Sequence, residues 1–146
     1  MAYIEDLSTE TYCGWMHKDM ACLSVGWLGC TVPTPGALAP RYLAVLRHYA
    51  AHHAFMDGLM GNHACEICGK GKFHGEFWIE LFVPQVDRRV RFVLPMGVFH
   101  YIEAHGYCPP PEFLKAIEPL AVELEMEAAL LPRAELPPVT EISALE

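Results

Sequence analysis

Leu38, Tyr42, Val45, Leu46, Tyr49 and His53 recur every three or four residues, which predicts a helix at about 38–55 behind the turn marked by Pro33, Pro35 and Gly36. Ahead of it, Leu23 to Leu28 reads as a short buried strand. Further along, the period shortens to two. Glu76 to Val83 is rich in Phe, Trp, Ile and Val, while Arg89 to Leu94 alternates Val90, Phe92 and Leu94 with Arg89 and Arg91. Pro84 to Arg88 joins these runs, so an antiparallel hairpin is the simplest pairing. Pro95 can open a helix and Gly106 can close it. Another helix starts near Pro111 and carries Phe113, Ile117, Leu120, Leu124 and Ala128, with Pro119 a kink or junction. The pattern describes a small α+β domain over 1–131, followed by a Pro-rich acidic tail over 132–146.

Between the first helix and the hairpin lies a glycine-punctuated loop, His63-Ala64-Cys65-Glu66-Ile67-Cys68-Gly69-Lys70-Gly71-Lys72, and it changes the picture. Two thiolates two residues apart on a turn can grip one zinc ion, and backbone N–H groups of the turn can hydrogen-bond their sulfurs. A redox pair uses the same spacing but wants a helix N-terminus in a βαβ setting, whereas here a hairpin follows. His100-x4-His105 supplies a second pair at a spacing zinc sites use. Turn, hairpin and helix are the order of a treble-clef-like zinc module, spanning about 63–106. Five residues turn an ideal helix by about 500°, so His100 and His105 converge only if the helix end is distorted. Gly106 allows that distortion, and His63 is the substitute ligand if one of them faces elsewhere. The expected metal ligands are therefore Cys65 and Cys68 with two of His100, His105 and His63, around Zn2+.

The remaining cysteines, Cys13, Cys22, Cys30 and Cys108, lack ligand spacing and read as small apolar residues. His17, His48, His52, His53 and His74 read as surface or hydrogen-bonded residues, although together they make a second metal site conceivable. The acidic start, Met1 to Leu7, lacks a basic, apolar leader, and no run of about 18 apolar residues occurs, so a cytoplasmic protein without disulfides is expected. A net charge of −8 argues against broad nucleic-acid affinity. Positions 70–91 are net +2 against −10 for the remainder, through Lys70, Lys72, Arg88, Arg89 and Arg91, which form a weak candidate anion-binding set.

These pieces together resemble an uncharacterised bacterial family of small domains of unknown function. The resemblance rests on Tyr3 to Ser8 with Tyr12, Val25-Gly26-Trp27-Leu28, His63-x-Cys65-x-x-Cys68, and His100-Tyr101-Ile102-x-x-His105-Gly106-Tyr107 with Pro109-Pro110 and Phe113. It spans about positions 3–117 and implies bacterial origin and that the five Cys and His residues belong together. It supplies no activity.

Three functions fit this chain. The first is a zinc-stabilised interaction or regulatory module, immunity-like, with another protein as partner, because no phosphate-binding glycine loop, Gly-x-Ser-x-Gly or His-Glu-x-x-His is present. The second is a zinc hydrolase or nuclease, with Glu103, Glu76 and His74 as nearby acid or base candidates. The third is anion or nucleic-acid binding by the basic hairpin.

Overall fold

In a computed structural model of the chain, residues 3–9, 21–52, 54–55 and 62–130 are described, apart from the side chains of residues 54, 55, 62, 63, 72 and 74. The elements are β1 (Ala21–Ser24), α1 (Pro40–His52), β2 (Ala54–Phe55), β3 (Asn62–Ala64), β4 (Lys72–His74), β5 (Glu76–Val83), β6 (Arg88–Pro95), α2 (Val98–His105) and α3 (Pro111–Leu130). The tail beyond Leu131 and the residues Cys13, His17 and His53 lie outside the described residues.

The predicted hairpin forms the heart of the fold. β5 and β6 pair antiparallel from Glu76 opposite Pro95 to Val83 opposite Arg88, closed by a short 3-10 turn over Pro84–Val86. β6 lies between β5 and β1 in a four-stranded sheet of order β1-β6-β5-β2, which explains why Val90 to Pro95 are buried without alternation. One sheet face carries Phe77, Ile79, Val90, Phe92 and Leu94, all buried in one core with Val45 and Leu46 of α1, Val98 and Tyr101 of α2, and Phe113, Ile117 and Ala121 of α3. On the other face Val93 packs with Ile4 and Trp27, whose indole N–H donates to the Val93 carbonyl at 2.9 Å.

Several boundaries differ from the sequence-based expectation, for physical reasons. The strand expected at 23–28 is β1, Ala21–Ser24, and it runs parallel to β6. It ends because the Gly26 N–H leaves the sheet for Asp6 Oδ1 at 2.9 Å. The first helix starts at Pro40 rather than Leu38 and stops at His52, since Ala54 and Phe55 are drawn into β2 against β5. Pro95 ends β6 instead of opening α2, because the Met96 N–H is held by the Gly75 carbonyl at 3.1 Å and the helix begins at Val98. The loop expected at 63–72 is a small hairpin of β3 and β4, with the cysteine turn at its tip.

α3 runs through Pro119 as one continuous helix. A proline inside a helix removes a hydrogen bond and costs about 3 kcal/mol. Burial of Ile117 and Ala121 on either side of it offsets that cost, and Arg41 of α1 bridges Glu118 at 3.1 Å and Glu125 at 2.7 Å.

Asp6 ties the N-terminal segment to the far end of α2. Its carboxylate accepts the Gly26 N–H and the Tyr107 hydroxyl, each at 2.9 Å. Burial pushes the Asp6 carboxyl above its ordinary 3.8, against the two hydrogen bonds, and burial together with the Asp6 charge pushes the Tyr107 phenol well up. A carboxyl raised by folding stabilises the native chain fully below 3.8, and that stability is lost as pH rises through the folded value. Asp6→Ala leaves two donors without their acceptor and is expected to cost about 1–3 kcal/mol in urea unfolding at neutral pH. Asp6→Asn is expected to remove this acid-side rise in stability.

Candidate metal centre

The centre is assembled from two small units. β3 delivers the chain into the turn Cys65 to Gly69, where the Gly69 N–H donates to the Cys65 carbonyl at 2.7 Å, and Gly69 takes φ 70°. This turn aims both thiols at α2. Cys65 is fully buried and Cys68 exposed, its Sγ 3.9 Å from the Lys70 carbonyl oxygen.

α2 carries both histidines, and its last turn removes the directional conflict of a five-residue step. The Gly106 N–H reaches back five residues to the Tyr101 carbonyl, where a regular helix reaches four, and the Tyr107 N–H ends on the same oxygen at 3.1 Å. Gly106 itself sits at φ 64° and ψ 32°, a left-handed closure that glycine adopts without steric cost. The widened end accompanies the convergence of the two imidazoles. Their Nε2 atoms lie 3.2 Å apart.

The remaining distances complete the cluster. Cys65 Sγ is 3.5 Å from His105 Nε2, and Cys68 Sγ is 3.4 Å from His100 Nε2. All four donor atoms lie within 4.8 Å of one another, close enough to hold one metal ion. With zinc–sulfur and zinc–nitrogen bonds of about 2.3 and 2.0–2.1 Å, a tetrahedron has S···N edges of about 3.6 Å and an N···N edge of about 3.3 Å. The three edges of 3.5, 3.4 and 3.2 Å match those values. The donor chemistry fits as well: two thiolates and two neutral imidazoles cancel a divalent charge, and the thiolate of buried Cys65 requires such compensation. Burial pushes the Tyr101 hydroxyl beside the centre up to about 12, with the negative charges of Cys65, Glu66 and Cys68 adding to the shift.

Phe73 of β4 backs the centre, its ring centroid 5.1 Å from that of His100. The ring needs the absence of a side chain at Gly97, where a methyl group would lie 2.9 Å from it. Gly97→Ala is expected to push Phe73 onto His100 and weaken metal retention by about 1–3 kcal/mol, read by competition with a chromophoric chelator.

The other sequence candidates are placed as follows. β3 includes His63, opposite Phe73 in the ladder, but the side chains of His63, Lys72 and His74 lie outside the described residues. Glu103 pairs with Arg47 of α1, and Glu76 is buried in the sheet, accepting the Trp78 indole N–H at 3.2 Å. Neither belongs to the cluster.

Of the basic set, Lys70, Arg88 and Arg89 are exposed, but Arg91 is not the open anion contact that the alternation suggested. Only 7% of it is exposed, because its guanidinium lies 4.1 Å over the Trp78 ring and pairs with Glu80. Arg89 also approaches Glu80, at 3.9 Å. Arg91 therefore serves the outer sheet face. Sequence reasoning passed over this pair, although Glu80 opposite Arg91 in a hairpin register was a usable signal.

Cys22, Cys30 and Cys108 are free, and only Cys22 of the three is buried. Among the described residues, no helix is long and apolar enough to cross a membrane.

Residues 2–118 match a family model described as a domain of unknown function, DUF7919. No curated protein and no solved structure matches the chain.

Proposed function

The chain belongs to this family of domains of unknown function, and with no activity to inherit we propose from the site alone that it is a zinc-stabilised interaction or regulatory module, acting through another protein. One observation carries the reading. The donor atoms of Cys65, Cys68, His100 and His105 all stand within 4.8 Å of one another, a set that would fill a tetrahedral zinc with protein ligands and leave no position for a reacting water. Glu103 supports the same reading, being engaged by Arg47 on the surface, and so do the hairpin cations Arg89 and Arg91, both near Glu80. The acidic balance of −8 suits a partner with a basic surface better than a nucleic acid.

Zinc here would neutralise the two thiolates and fix the β3–β4 turn to α2. The test is replacement of the ion by Co2+. The reading expects intense tetrahedral bands with sulfur-to-cobalt charge transfer, unchanged by added azide. A spectrum that shifts on adding azide means an open coordination position and returns the hydrolase reading to first place.

A further inference from the structure

The described histidines outside the centre include a second pair whose rings stand together. His48 and His52 stand four residues apart on α1, so helical geometry puts them one above the other on the same face. Both side chains are exposed. Their ring centroids are 4.6 Å apart with the planes inclined at 53°, compared with 4.9 Å and 78° for His100 and His105. Tyr49 meets the His48 ring edge-on at 5.4 Å. Arg47, the neighbouring cation, is engaged by Glu103 and lies 5.3 Å over the Phe99 ring.

The spacing can be compared with what a shared ion requires. A coordinated imidazole places its ring centre about 3.2 Å from the metal, given bonds of about 2.0–2.1 Å. Two such rings stand about 4.5 Å apart when the ligands meet at a right angle and about 5.2 Å apart at a tetrahedral angle, on the same bond lengths. The observed 4.6 Å is short enough for both rings to take adjacent positions about one ion. Adjacent positions at right angles belong to tetragonal and octahedral ions, and imidazole suits the late first-row divalent metals.

We propose that His48 and His52 form a surface site for a Cu2+- or Ni2+-class cation, separate from the Cys2His2 centre. Two protein ligands leave the ion's other positions to water or to a donor from a partner, so this ion exchanges freely while the enclosed one does not. The acidic net charge of the chain favours the cation's approach.

Ni2+ avoids thiol oxidation and is the probe of choice. Zinc-loaded full-length protein is titrated with Ni2+ by calorimetry, alongside His48→Gln and His52→Gln, with zinc content measured afterwards. The proposal expects one Ni2+ per chain with zinc retained, and a loss of affinity of at least about 10–100-fold in each variant, since even supporting residues of metal sites cost that much. No binding, binding unchanged by either substitution, or binding that only displaces zinc overturns it. The proposal does not depend on the role of the zinc centre, so the two can fail separately.

Discussion

Chelating the metal is expected to unfold residues 63–106, seen as loss of near-ultraviolet circular dichroism and of dispersed amide signals. The expectation follows from the size of two quantities. A structural zinc in a cysteine and histidine set contributes about 10–16 kcal/mol of apparent free energy, against about 5–15 kcal/mol for the stability of a whole domain. Here the ion would join the β3–β4 turn to α2, and α2 carries the fully buried Tyr101 and Val98 of the central core. Cys65→Ser is expected to behave like the chelated protein, because it leaves one thiolate and removes the ligand that is wholly buried. His105→Ala removes a partly exposed ligand and is expected to lose the metal with a smaller loss of fold.

Phe113→Ala is expected to cost about 3–5 kcal/mol in chemical denaturation while one metal ion per chain is retained. Phe113 is fully buried and meets Phe92 edge-to-face at 4.8 Å, which locks α3 to the centre of the sheet. Its loss opens a cavity far larger than the neighbours can close. Met126→Ala on the same helix makes the control, since Met126 is 57% exposed and such changes usually stay within about 0.5 kcal/mol. A Phe113→Ala protein that also loses its metal would mean that the packing lost at α3 exceeds the stability left to the fold that holds the centre.

The parts of this molecule that were legible in its sequence are those written by local spacing. Cys-x-x-Cys followed by His-x4-His pointed to the four residues that the fold brings together, with His63 kept as a substitute, and the alternation around Phe92 named the hairpin and its core-facing side. The joining of distant segments was not legible. Nothing local in Ala21–Ser24 says that it lies parallel to β6, some 70 positions away, because that pairing is decided by the shared core. The β3–β4 hairpin was hidden by its three-residue strands, too short to show a period. Gly106 announced the end of α2, but no spacing in the sequence announces the five-residue hydrogen bond that accompanies the convergence of His100 and His105. Burial of Arg91 was masked by its charge, which is satisfied only once Glu80 and Trp78 are beside it.

The decisive measurement is the metal content of the protein purified without added metal. About one zinc per chain is predicted, absent from Cys65→Ser, as the matched donor set requires. A folded, unaltered chain that carries no zinc would contradict the account and assign Cys65 and Cys68 to thiol redox chemistry instead.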